Sequence, residues 1–171
     1  MSDPVVIAAG QGRLFRGPTG APMAVKIDGT MTDDAYSLIE YEHAPGAPGP
    51  PAHVHQHHEE AFRVLEGELT LDVDGRTLTL GPGEYAMVPR GAAHRPYNRG
   101  RVPVRFLFVT SPAMDGFFAE MAELNSATGG APSVRALAEL GARWDCAFVD
   151  VPGGGEGAIR IANETPPASS A

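Results

Sequence analysis

The stretch "HVHQHHEE", residues 53–60, gathers four of the chain's six histidines and two carboxylates into eight positions. On an extended strand, residues i and i+2 point to one face, so His53 and His55 aim two imidazoles into the same space. Glu60 follows after a short connection, on the next strand, where its carboxylate can meet them. His57 shares the parity of His53 and His55 and competes for a place, whereas His58 and Glu59 break step. The stretch alone therefore reads three ways: a metal site, a solvated polar turn, or a fortuitous histidine-rich patch.

The segments on either side decide the fold class. "AYSLIEYEH" (35–43) reads as a strand running into the Pro/Gly-rich loop "APGAPGPP" (44–51). "AFRVLEGELTLDV" (61–73) reads as two strands meeting at Glu66-Gly67, and Asp74-Gly75 is a hairpin turn before the alternating "RTLTL" (76–80). "GPG" (81–83) turns again, "EYAMVP" (84–89) is extended, and "VPVRFLFVT" (102–110) is a β-branched and aromatic strand. Turns every eight to twelve residues mark an all-β unit. Beyond it, Ser111-Pro112 reads as a helix start, with a helix over about 112–124 that carries Met114, Phe117, Phe118, Met121 and Leu124 on one side. A second helix is expected over 132–142 and an extended piece over 146–151. The expected organisation is N-terminal strands or an arm over 1–34, a barrel core over 35–110, a helical extension over 111–151 and a flexible tail over 152–171.

Composition agrees and excludes some partners. A chain of 171 residues with 43% hydrophobic and 20% charged residues suits one globular domain. The 21 glycines and 16 prolines favour the many turns of a sandwich or barrel over a helical bundle. A net charge of −8 repels polyanions, which speaks against nucleic acid. No run approaches the ~18 apolar residues a bilayer span needs, and the start has no basic segment of a signal peptide. The single cysteine, Cys146, forms no internal disulfide; it is expected to be buried and inert, and the chain to be cytoplasmic. "GPG" and "GGG" lack any phosphate-loop frame, and there is no G-x-S-x-G.

A second stretch completes the first. His53-x-His55 is followed after four residues by Glu60 and after six more by Gly67. Further on come Gly83, Pro89-x-Gly91, His94 and Asn98, at spacings of five, two and three residues. The pair resembles the two signature motifs of the cupin superfamily, H-x-H-x(3,4)-E-x(6)-G and G-x(5)-P-x-G-x(2)-H-x(3)-N. The leading glycine of the first motif is replaced by Ala47, with Gly46 and Gly49 beside it. The wording "PPAHVHQHHEEAFRVLEGEL" is also similar to quercetinase-type (flavonol dioxygenase-like) cupins, as is the helical extension "SPAMDGFFAEM".

The resemblance implies a jelly-roll (double-stranded β-helix) cupin barrel with C-terminal helices packed outside, forming a homodimer. It implies that His53, His55, Glu60 and His94 hold one divalent transition ion, which this mostly nitrogen donor set leaves open among Fe, Ni, Mn, Cu and Zn. His57, His58 and Glu59 then become a solvated connection, and Gly67, Gly83, Gly91, Pro89 and Asn98 serve the fold. The implied activity is that of a dioxygenase on a small enolic or aromatic, flavonol-like substrate, with O2 as co-substrate and Glu60 as both ligand and base. Non-redox isomerase, cyclase or decarboxylase chemistry at the same ion, or binding without turnover, uses the same four residues. Phe62 and Val64 share the inward face of Glu60, and Tyr41, Met87, Phe106 and Phe108 are candidates to line the substrate pocket. His43, at a strand end in charged surroundings, is expected to be exposed.

Overall fold

The computed structural model describes residues 4–17, 21–128 and 132–149; the expected tail lies outside these. Two antiparallel sheets face each other, as the turn spacing predicts. One takes the strands β1 (Arg13–Arg16), β2 (Pro22–Ile27), β3 (Ser37–His43), β5 (Glu59–Glu66), β8 (Tyr85–Val88) and β10 (Val104–Ser111), ordered β1-β2-β3-β10-β5-β8. The other takes β4 (His53–Val54), β6 (Leu69–Val73), β7 (Arg76–Leu80), β9 (His94–Tyr97) and β11 (Ala147–Phe148), ordered β11-β4-β9-β6-β7. The chain thus passes back and forth between the sheets from β3 to β10, the jelly-roll arrangement, and the core fills the space between.

Alternation of side chains builds that core. On β10 Val104, Phe106, Phe108 and Thr110 are buried and their neighbours half-buried. On β3 the buried set is Ser37, Ile39, Tyr41 and His43. Phe62, Val64, Leu69 and Leu71 meet them from β5 and β6. Each such large apolar side chain contributes about 1.5–3 kcal/mol through burial.

The turns carry what the sequence assigns them. Asp74 (φ 46°) and Gly75 (φ 76°) form the two-residue hairpin turn with both residues left-handed. Asn98 is 1% exposed. Its amide donates to the carbonyls of His43, Ala44 and Val102 at 3.2, 3.0 and 2.8 Å and accepts from the Gly100 N–H at 2.8 Å, so it pins two loops together.

The chain leaves the barrel later than Ser111-Pro112 suggests. Ser111 still pairs with Glu59 in the sheet, and helix α1 runs over Asp115–Thr128. A buried hydroxyl pair, Ser37 and Thr110 at 2.6 Å, accepts the Met114 N–H and anchors this exit. Helix α2, Val134–Arg143, is capped by Ser133, whose hydroxyl accepts the Ala136 N–H. The expected face is the buried one: Met114 just before α1 and Phe117, Phe118 and Met121 within it, with Leu124 partly buried. Trp144 fills the space above Gly116, where a Cβ would come within 2.1 Å of its ring, and its Nε1–H donates to Glu120 at 3.0 Å. No helix among the described residues is long and apolar enough to cross a membrane.

His43 corrects an expectation. It is 0% exposed, because it continues the inward parity of Ile39 and Tyr41, and it stands edge-on to Tyr41 and Phe106. Neither ring nitrogen has a hydrogen-bond partner. Burial pushes its pKa down from 6.5 to about 4. Between those values the unfolded chain takes up a proton that the folded chain refuses, so the His43 contribution to stability is fully present above about 6.5 and is lost as pH falls towards 4. His43→Leu is expected to raise stability at neutral pH by about 1–3 kcal/mol, the cost of buried unpaired polar atoms. It should also flatten the loss of thermal stability between pH 6.5 and 4 relative to the parent chain, which thermal melts across that range check.

Candidate metal centre

The two sheets bring the candidate ligands together. His53 opens β4 and pairs in register with His94 at the start of β9; His55 follows two residues after His53 with the same parity. Glu60 comes from the opposite sheet, near the start of β5, where it pairs with Val88. The ring centroids of His53 and His94 lie 4.3 Å apart, those of His53 and His55 5.1 Å, and those of His55 and His94 5.6 Å. One donor atom from each of the four residues lies within 4.8 Å of all the others, and all four are buried.

The three imidazoles are oriented alike. Each Nδ1–H donates to a main-chain carbonyl: His53 to Pro51 at 2.9 Å, His55 to Asp145 at 2.6 Å and His94 to Ala92 at 3.1 Å. That leaves the Nε2 atoms to converge, the tautomer and aim a metal-ligating histidine needs. His94 Nε2 is 3.1 Å from Glu60 Oε2. His55 Nε2 lies 3.6 Å from Oε1, beyond hydrogen-bonding distance, and has no hydrogen-bond partner. A buried donor set with an orphaned imidazole nitrogen fits a metal ion.

Electrostatics acts differently on three of these donors. Burial, reinforced by the neighbouring His94, pushes His53 down from 6.5 to about 3, so its imidazole is neutral at physiological pH. Burial alone would raise the Glu60 carboxyl; the imidazoles of His55 and His94 outweigh it and hold Glu60 ionised, well below the ordinary carboxylate range. For His55 burial acts downward, but Glu60 and the Asp145 carbonyl prevail and raise its pKa.

The connection 56–58 is placed as expected for His57, which is exposed, while His58 is half-buried. His58 Nδ1 lies 2.9 Å from Asp145 Oδ2, and with His55 these residues form a second cluster of possible donors. That cluster is the weaker candidate: it has three members, only one buried, and the His55 Nδ1 is already engaged by the Asp145 carbonyl. Glu59 begins β5 on the exposed side and pairs with Arg90 at 3.2 Å.

A cavity opens directly onto His53, His55 and Glu60. Tyr41, Phe62, Phe106 and Phe108 line it. Val64 and Met87 do not. Val64 is fully buried but lies one inward step further along β5, beyond Phe62. Met87 is 63% exposed, because Val88 and Ala86, the register partners of inward-facing Glu60 and Phe62, take the inner face of β8. The remaining wall comes largely from the C-terminal extension: Met114, Phe117, Phe118 and Met121 before and within α1, Leu137 of α2, and Cys146 and Phe148 around β11. Helical periodicity puts the α1 residues on one face, but nothing local in the sequence announces that this face closes the cavity. Burial pushes the Cys146 thiol up to about 12, keeping it protonated. Among the described residues the wall carries no lysine or arginine.

Two facing antiparallel sheets with an inward cluster of three histidines and one glutamate define a β-barrel of the metal-site-bearing jelly-roll class. Within that class, residues 39–110 match the Cupin domain family, and the chain belongs to the cupin superfamily. Cupins commonly hold a divalent metal ion, and here a group of three histidines and one glutamate is in place for one. Quercetin 2,3-dioxygenase of Bacillus subtilis is 29% identical over 92 residues, 53% of this chain and 26% of that protein. Tetracenomycin polyketide synthase protein TcmJ of Streptomyces glaucescens is 38% identical over 60 residues, 35% of this chain and 40% of that protein. The chain thus spans well under half the length of either relative. The crystal structure of the polyketide cyclase RemF from Streptomyces resistomycificus superposes with a TM-score of 0.54 at 30% identity, covering 65% of this chain and 80% of that one.

Proposed function

We propose that this cupin is a metal-dependent enzyme that acts on a small, uncharged, enolic or phenolic aromatic compound, as a dioxygenase of the quercetinase type. The observation that carries this reading is the pairing of the four-donor cluster with a cavity walled by aromatic rings and, among the described residues, free of lysine and arginine. A carboxylate or phosphate lying in the cavity away from the ion would need a cationic side chain to meet it, since burying an uncompensated charge is costly. A flat aromatic substrate instead finds edge and face contacts with Phe62, Phe106 and Phe108. Similarity to the Bacillus quercetin 2,3-dioxygenase supports the oxygenase reading.

His53, His55, His94 and Glu60 would hold the ion. It would supply Lewis acidity and, if redox-active, one-electron chemistry towards O2. The chain supplies the rest. The aromatic wall orients the ring and excludes water, and a Glu60 carboxylate oxygen accepts the proton of the substrate hydroxyl. A second reading, non-redox cyclisation at the same site, is favoured by the likeness to RemF.

The test is an oxygen electrode with iron-, nickel-, manganese- or copper-loaded protein and a panel of flavonols and aromatic enols. Substrate-dependent O2 uptake is expected; turnover that proceeds equally without O2 would instead favour the cyclase reading. Glu60→Gln separates base from ligand. Loss of a positioned base costs on the order of 100-fold or more in turnover, so activity should fall that far while the metal measured per chain stays largely retained. Parallel losses in both would leave Glu60 a ligand only.

A further inference from the structure

The cupin match ends at residue 110, yet one residue far beyond it holds the ligand loop through four polar contacts. Asp145 follows α2. Its main-chain carbonyl accepts the His55 Nδ1–H at 2.6 Å. Its carboxylate accepts the Gln56 N–H at 3.1 Å and the His57 N–H at 2.6 Å, and meets His58 Nδ1 at 2.9 Å. One residue therefore grips every position between the second histidine ligand and the start of β5.

The backbone does not explain an aspartate there. Asp145 has φ 52°, the left-handed conformation in which helices usually end on glycine. An L-residue in that region costs roughly 1–2 kcal/mol, and the carboxylate's contacts are what the side chain adds. The platform beneath it is fixed from both sides. The Cys146 N–H donates to the Gly141 carbonyl at 2.8 Å, and the Val149 N–H to that of Ala52 at 2.9 Å. Between them β11 pairs with β4, setting Phe148 opposite His53.

We propose that Asp145 is a positioning residue of the metal centre. Its carbonyl holds His55 with Nε2 facing the ion, its carboxylate fixes the 56–58 turn, and the C-terminal extension thereby sets metal affinity. The proposal rests on His53, His55, Glu60 and His94 being the ligands. A partner that orients a ligating histidine is generally worth about 10- to 100-fold in metal affinity.

The test is titration of the metal-free full chain with Co2+, read by calorimetry and by the visible absorption of the bound ion. Asp145→Gly keeps the left-handed turn and the carbonyl but removes the carboxylate; Asp145→Asn keeps the shape and one acceptor oxygen. Asp145→Gly, which keeps the carbonyl on His55 and loses only the grip on the 56–58 turn, is expected to weaken Co2+ binding about 10-fold, the low end of that range, and to change the absorption bands. The metal-free protein should still melt near the parent temperature, and Asp145→Asn should recover part of the affinity. Parent-like affinity and spectrum in both variants would overturn the proposal while leaving the metal centre intact. Affinity lost only in step with the melting temperature of the metal-free protein would also overturn it, making Asp145 a structural residue. If the parent chain binds no Co2+, the metal reading fails, and this proposal with it.

Discussion

Replacing His94 by alanine is expected to leave a chain that retains no stoichiometric metal after dialysis. His94 is the one donor of the four that comes from the second motif, and it sits at the centre of the cluster, in register with His53 and 3.1 Å from Glu60. Its loss leaves two imidazoles and a carboxylate, a set that can hold an ion where the fold arranges three donors for it; here the three are arranged around His94, so metal should be retained far more weakly than in the parent. It also removes the 3.1 Å polar contact of a Glu60 carboxylate that is only 7% exposed. Leaving a buried polar group without its partner costs about 1–3 kcal/mol, so the metal-free variant should melt below the parent. His94→Gln keeps an amide donor for Glu60 while losing the imidazole, and so separates the two effects. Metal analysis and thermal melts of both variants check this: metal lost in both, stability lost mainly in the alanine variant.

The second large effect falls on the fold. Gly67 joins β5 to β6 with φ 76°, and a Cβ there would stand 2.3 Å from the Pro103 carbonyl oxygen and 2.9 Å from the Val104 Cα. Both obstacles are backbone, so neither yields without moving the start of β10. Gly67→Ala should therefore add the left-handed penalty of roughly 1–2 kcal/mol to overpacking of about 1–3 kcal/mol. For a domain of this size that lowers Tm by on the order of 10 °C. Gly75 is the internal control. It has the same φ of 76° but nothing within 4 Å of its would-be Cβ, so Gly75→Ala should show the conformational penalty alone. Equal losses at the two positions would mean that the approach of Pro103 does not matter.

Much of this architecture is legible in the residues because the decisive signals are local. Parity puts His53 and His55 on one face, Asp74-Gly75 makes a tight hairpin, and the spacing from Glu60 to Gly67 matches one strand and its turn. What is not legible depends on which side of a strand faces in, or on contacts distant in sequence. Met87 sits in the apolar run "AMV", which gives no alternation to read, and only its register against Ala61 puts it outside. The inward parity of Ile39 and Tyr41 is a usable signal for His43, but charged neighbours and the following loop point the other way. Asp145 contacts Gln56 and His57 across 88 or more residues, through a helical pair whose docking no local pattern announces. Its one trace in the sequence is an aspartate where a helix end would favour glycine.

The proposed chemistry turns on one ion held by His53, His55, Glu60 and His94. The most direct measurement is a crystal structure of Co2+- or Zn2+-loaded protein, with the ion located by its anomalous scattering. The expected result is a single strong peak within about 2.0–2.2 Å of three Nε2 atoms and a Glu60 oxygen, the distances such ligands adopt. A peak seated instead between His58 and Asp145, or none at a metal excess that saturates binding in solution, would contradict it.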